Sequence, residues 1–392
     1  MKIAVPRETA EGETRAALTP QIAGLLVASG NQVLIQAGAG EAAHFPDAAY
    51  AEAGATLVPD VAALYGKAEL VLRVGRPSDE EIEMLRPKAV LIGTLGTLAN
   101  PRLAERLAER GITAISMDAI PRITRAQSMD SLSSQSTVGG YKAVLLAAGR
   151  LPKFFPLLTT AAGTVRPARG LIMGAGVAGL TAIGTARRLG AVVEAFDVRP
   201  VVREQVESLG ATFVEVPMNE EEKASAETAG GYAREMSEDY QRRQSELIAE
   251  RVKAADFVIT TALIPGRPAP RLITADMVRT MQPGSVIVDM AAEAGGNCEL
   301  TEPGREVVDN DVTIIGLTNL PATVPTHATQ MYAKNVQTLV DHLVHDGKLT
   351  LDLEDEITRG ATITHGGKII HEATAAALAA QAEGGQAGEA KA

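Results

Sequence analysis

One stretch constrains this 392-residue chain more than any other. Gly170-Leu171-Ile172-Met173 reads as a short aliphatic strand; Gly174-Ala175-Gly176-Val177-Ala178-Gly179 follows at once, and a helix-like run continues to about Gly190. The next aliphatic run, Ala191–Phe196, ends in Asp197, eighteen residues after the last glycine. Strand, G-x-G-x-x-G turn, helix, strand and acid in this register are the elements of a βαβ unit that binds dinucleotides. The first glycine permits the tight turn, the second lets backbone approach a pyrophosphate, and the third lets the helix pack on the strand. The helix N-terminus attracts phosphate. Asp197 can accept from adenosine ribose hydroxyls and repels a 2′-phosphate, which favours NAD(H) over NADP(H), with Arg199 pulling weakly the other way. The competing reading is a glycine turn that binds nothing, with Asp197 capping the next helix.

Similar alternation extends along the chain. Aliphatic runs at Lys2–Val5, Gln32–Gln36, Leu70–Val74, Ala89–Ile92 and Thr113–Ser116 are separated by helix-like segments such as Pro101–Arg110. A second series follows at Gly170–Met173, Ala191–Phe196, Thr212–Val216, Phe257–Thr261, Ser285–Asp289 and Thr313–Leu317. The expected fold class is α/β, with two Rossmann-like, doubly wound parallel-sheet domains separated by a cleft. Residues 326–344 carry apolar side chains at helical spacing and are expected to return to the first domain. That reading gives a discontinuous N-terminal domain, residues 1–132 plus 325–378, a nucleotide-binding domain, residues 133–324, and a flexible tail, residues 379–392. The Ala, Gly, Glu and Gln composition from about Thr374 lacks an apolar stripe with which to dock.

Composition narrows the partners. Net charge is −11, aromatics are 3% and Trp is absent, so the basic groove and stacking platform of a nucleic-acid binder are missing. The lone Cys298 offers neither an internal disulfide nor a thiolate metal site, which fits a reducing, intracellular compartment. No metal site is expected. The most apolar window, Gly170–Leu189, contains five glycines and two arginines, so no transmembrane segment or signal peptide is expected.

Two further segments carry polar chemistry. Residues 121–135, Pro-Arg-Ile-Thr-Arg-Ala-Gln-Ser-Met-Asp-Ser-Leu-Ser-Ser-Gln, hold guanidinium, amide, carboxylate and hydroxyl groups that could orient a nicotinamide and its ribose from across the cleft. A solvated loop with an N-cap serine accounts for them equally well. Pro217–Asp256 is far longer than a usual connection; its Gly230-Gly231-Tyr232 suggests a lid over bound nucleotide, against the plainer reading of a charged surface helix with a flexible approach.

Together these features resemble the NAD(H)-binding component, domain I, of proton-translocating nicotinamide nucleotide transhydrogenase. The resemblance runs from Met1 to about residue 372 and is most specific at Arg-Ala-Gln-Ser-Met-Asp (125–130) with Ser-Ser-Gln (133–135), Gly-Ala-Gly-Val-Ala-Gly (174–179), Glu-Thr-Ala-Gly-Gly-Tyr (227–232) and Thr-Thr-Ala-Leu-Ile-Pro-Gly (260–266). It implies direct hydride transfer between NAD(H) on this chain and NADP(H) on a partner subunit, coupled to proton movement through a membrane-spanning subunit. It also implies a homodimer that is peripheral on the cytoplasmic face of the inner membrane. Gln127 would sit beside the nicotinamide, supported by Arg122, Asp130 and Ser133. Gly174, Ala175, Gly176, Val177, Gly179, Asp197, Val198, Arg199, Gly231, Tyr232, Thr261, Ala262 and Leu263 would hold NAD(H). Such transfer needs no protein acid or base, because the nicotinamides supply the chemistry.

Alanine dehydrogenase, of similar fold, is the main competitor and shares Arg15. Where that family places its substrate lysine and histidine, this chain has Arg73-Val74-Gly75-Arg76-Pro77 and Gly93-Thr94-Leu95-Gly96. A catalytically silent NAD(H) sensor is the third reading.

Overall fold

Lys2–Val5 (β1), Gln32–Gln36 (β2), Thr56–Val58 (β3), Leu70–Leu72 (β4), Val90–Gly93 (β5) and Thr113–Ser116 (β6) are short runs dominated by Val, Ile, Leu and Ala. Helices on both faces bury the central strands completely, so β4, β5 and β6 expose no residue and need no apolar–polar alternation. They pair in parallel in the order β3-β2-β1-β4-β5-β6, and an antiparallel pair, Thr362–His365 and Lys368–Ile369, extends the β6 edge. One sheet face packs under Leu26, Tyr332, Val336, Leu339 and Leu343. The opposite face packs under Leu64, Ile82, Leu103 and Leu107.

This computed structural model describes residues 1–216, 238–264 and 266–389. The strands above belong to one unit, Met1–Gln135 with Pro321–Ala392; Ser136–Leu320 form the other. In the second unit a small hairpin, Leu158–Thr160 (β7) with Gly163–Val165 (β8), precedes the main sheet. That sheet contains Arg169–Met173 (β9), Val192–Phe196 (β10), Thr212–Val214 (β11), Phe257–Thr260 (β12), Val286–Asp289 (β13), Glu306–Asp309 (β14) and Val312–Ile315 (β15). Its order is β11-β10-β9-β12-β13-β15-β14, parallel except for β14. Both sheets reverse direction between their first and fourth strands, which opens a crevice at the carboxyl ends. Two doubly wound α/β units are what the recurring aliphatic runs predict.

The C-terminal segment departs from expectation. Glu372–Glu389 is helical instead of fraying from about Thr374. Thr374 is fully buried, and its hydroxyl lies 2.8 Å from both Thr97 Oγ1 and His371 Nδ1. Alanine is the strongest helix former, and a small polar anchor docks the first turn without an apolar stripe.

Candidate functional site

The glycine turn behaves as its spacing predicts, for reasons visible atom by atom. Gly174 has φ +101°, a left-handed conformation that strains any side chain. A Cβ on it would strike the Thr261 hydroxyl, and a Cβ on Gly179 would overlap the Gly174 carbonyl oxygen. These two glycines are required by the fold itself. Gly176 is different: its φ is −78°, and a Cβ there would meet nothing within 4 Å. It is the N-cap of helix Val177–Arg188, and no side chain caps the first amides. Uncapped N–H groups, the positive end of the helix dipole and open space lie together, the arrangement that accepts a phosphate.

At the end of β10, Asp197 is 9% exposed and turned onto this turn, not onto the next helix. The Ala175 amide donates to its Oδ2 at 2.7 Å, the Arg199 amide to its Oδ1 at 2.9 Å, and the Arg199 guanidinium to both oxygens at 2.9 Å. Burial alone would raise the Asp197 carboxyl, but these donors outweigh it and hold the group below the usual carboxylate range. It is therefore ionised at neutral pH. Val198 and Arg199 are partly buried beside it.

On the other side of β9, the end of β12 completes this edge. The Thr261 amide donates to the Met173 carbonyl at 2.8 Å, and its hydroxyl lies 3.2 Å from the Met173 and Gly174 carbonyl oxygens. Thr261 thus braces the first glycine. Leu263 and Ile264 are exposed at 55% and 40%, and Val177 at 41%, an apolar rim around a polar centre. Gly231 and Tyr232, expected in a lid, lie outside the described residues. The charged run after them is helical over Glu238–Ala254.

In the first unit, the segment holding Gln127 is not a solvated connector. Thr124–Met129 forms a short 3₁₀ turn whose Ala126 and Met129 enter the core. Asn335 donates to the Ser128 carbonyl at 2.8 Å and accepts from the Ser134 hydroxyl at 2.7 Å. Arg125 pairs with Asp355 at 2.9 Å. Asp130, and no serine, caps helix Ser131–Arg150: it accepts the Ser133 amide at 2.9 Å and the Ser133 hydroxyl at 2.6 Å. On this braced turn Gln127 and Arg122 are exposed, and neither side chain has a hydrogen-bond or ion-pair partner among the described residues. The bracing residues Asn335 and Asp355 lie more than 200 positions along the chain, so nothing in the local sequence points to them.

The first unit's own switch point is filled. Glu8, after β1, accepts the Val74 amide at 2.7 Å and Arg73 Nη2 at 3.1 Å. Arg73, 1% exposed, also pairs with Glu81 and donates to the Tyr65 hydroxyl at 2.8 Å. Desolvation pushes the Glu8 carboxyl above its usual range despite the arginine. Arg15, the residue shared with alanine dehydrogenase, is engaged internally: Glu13 accepts from it at 2.8 and 2.6 Å, and Gln135 at 2.8 Å. No group of three or more metal-ligating side chains occurs among the described residues.

Known proteins match this arrangement along its length. Residues 4–139 match the alanine dehydrogenase/PNT N-terminal domain, and residues 143–372 match the corresponding C-terminal domain. The first portion of NAD(P) transhydrogenase subunit alpha of Rhodospirillum rubrum is 48% identical over 380 residues, covering 95% of this chain and 98% of the relative. The crystal structure of transhydrogenase from Sinorhizobium meliloti superimposes with a TM-score of 0.86 at 42% identity, covering 94% of this chain and 100% of that one. Alanine dehydrogenase of Halomonas elongata is 34% identical over 387 residues, covering 96% of this chain and 97% of that one. The chain belongs to the alanine dehydrogenase/PNT family, as a relative of the alpha subunits of NAD(P) transhydrogenase.

Proposed function

We propose that this chain is the NAD(H)-binding subunit of a proton-translocating transhydrogenase. Hydride passes directly between NAD(H) held here and NADP(H) on a partner subunit, coupled to proton movement by a membrane-spanning subunit. The observation that carries the nucleotide half is the uncapped helix N-terminus at Gly176 beside the ionised Asp197. One accepts pyrophosphate, and the other accepts ribose hydroxyls while repelling a 2′-phosphate. Nicotinamide supplies the hydride chemistry when bound. The chain's task is approach and orientation, for which Gln127 and Arg122 stand exposed on a braced turn, with Asp130 and Ser133 fixing the helix that follows.

Glu13 favours this reading over an alanine dehydrogenase. Its carboxylate occupies the Arg15 guanidinium that such an enzyme would offer to a substrate carboxylate, and neither Arg73–Pro77 nor Gly93–Gly96 contains the lysine or histidine that such an enzyme would need there. Among the described residues no helix is long and apolar enough to cross a membrane, consistent with a peripheral subunit that relies on others for the proton path. Homodimerisation and a place on the cytoplasmic face belong to the same proposal.

The test is to mix the chain with the family's NADP(H)-binding subunit, supply NADH and an oxidised NADP analogue, and follow hydride transfer by absorbance. Transfer is expected only in the mixture. Gln127→Asn is expected to slow it about tenfold or more while changing NADH affinity less than about threefold. NADH oxidation dependent on pyruvate and ammonia, by the chain alone, would instead identify an alanine dehydrogenase. Binding without either activity would identify a sensor.

A further inference from the structure

Asn297 is wholly buried in the loop that follows β13, and its side-chain amide is saturated. Its Oδ1 accepts the Ala262 amide at 3.0 Å, while Nδ2 donates to the Ala262 carbonyl at 2.9 Å and the Pro270 carbonyl at 2.8 Å. One side chain therefore grips both backbone groups of Ala262, as a neighbouring strand would, just past the last residue of β12. Its own carbonyl accepts the Leu272 and Ile273 amides at 2.8 and 3.0 Å, so the loop also fixes the far end of the 262–273 segment. The loop has an anchor of its own. Asp289, with no exposed surface, accepts from Thr260 Oγ1, the Ala291 and Cys298 amides and Thr301 Oγ1 at 2.6–3.0 Å.

The direction of this grip matters. Asp197 stands at the end of β10 on one side of β9, and Ala262 stands beyond β12 on the other. A dinucleotide whose adenosine ribose meets Asp197 and whose pyrophosphate meets the Gly176 helix must carry its nicotinamide half toward the β12 side. Resting on the NAD(H) reading above, we infer that Asn297 is a positioning residue for the nicotinamide half: it holds Thr261 against the glycine turn and keeps Leu263 and Ile264 at the rim. Removing it frees the Ala262 backbone and leaves the Asp197 end untouched. The local signal is an Asn after two glycines, which is indistinguishable from an ordinary turn until Ala262 is seen beside it.

The test compares two ligands on the intact chain. NADH is titrated by its fluorescence and 5′-AMP by calorimetry, for wild type, Asn297→Ala and Asn297→Asp. The Asp variant keeps the volume and the acceptor but loses both donors. Both variants are expected to weaken NADH about tenfold, the scale of losing buried hydrogen bonds, while 5′-AMP affinity stays within about twofold. Retained 5′-AMP binding shows at once that the unit is folded. NADH affinity within about twofold of wild type in both variants, or a parallel loss of 5′-AMP, would overturn the assignment. Wild type that binds 5′-AMP but not NADH would overturn the NAD(H) reading, and the assignment with it.

Discussion

Gly176 and Gly179 show how differently one residue type can be required within a single turn. Gly179 has no room for a Cβ because the Gly174 carbonyl fills the space, whereas Gly176 faces open space. Gly179→Ala is expected to lower the thermal midpoint and abolish NADH binding together. Gly176→Ala is expected to leave the midpoint within about 2 °C of wild type and still lose NADH affinity by about tenfold or more, since only the pyrophosphate's approach is blocked. Calorimetric melts with parallel NADH titrations separate the two. Asp197 is legible from spacing as the acid after a strand, but its partners are not, because spacing says nothing about an Ala175 amide or about Arg199 folding back onto it. Its carboxyl is held below the ordinary range, so the stability it contributes is present above about pH 4 and is lost as pH falls through the folded pKa. The gap in melting temperature between wild type and Asp197→Asn is therefore expected to narrow as pH is lowered from about 6 to about 3.

Elements with long aliphatic runs are readable in the sequence, and short or exposed ones are not. The central parallel strands fall within a residue or two of their expected bounds. Thr56–Val58, β14 and the Thr362–Ile369 pair give no comparable signal, because edge strands need only a few half-buried residues. The 3₁₀ turn at Thr124–Met129 is disguised by its polarity, since the two apolar residues that seat it, Ala126 and Met129, are spread among hydroxyls and arginines. Its main tie is Asn335 on helix Pro325–Leu343. Asn335→Ala removes partners from the Ser128 carbonyl and the Ser134 hydroxyl and is expected to cost about 1–3 kcal/mol, read from urea unfolding.

At the scale of the molecule, two sheets of like winding have met opposite ends. The first unit's crevice holds Arg73, Glu8, Glu81 and Tyr65 in a closed polar network, while the second unit's is left open by glycines. The open one is visible in the sequence because a glycine turn has a pattern; the closed one is made by residues scattered between Glu8 and Glu81 that carry none. The small β7–β8 hairpin bears on assembly. Phe154, Leu157 and Val165 are exposed at 57%, 58% and 44% on or beside it, and a two-stranded hairpin is marginal in water without a covering surface. If it forms the homodimer contact, Phe154→Ser with Leu157→Ser is expected to halve the mass seen by light scattering while leaving the fold intact by circular dichroism.

The open space at Gly176 reaches further than one binding constant. A single methyl placed there silences the nucleotide without altering the surfaces that neighbouring subunits meet. Expressed beside the normal gene, such a chain would enter assemblies as readily as its sibling and idle each one it joined. The inheritance of the defect would be dominant, and its severity would follow the ratio of the two messages in the cell.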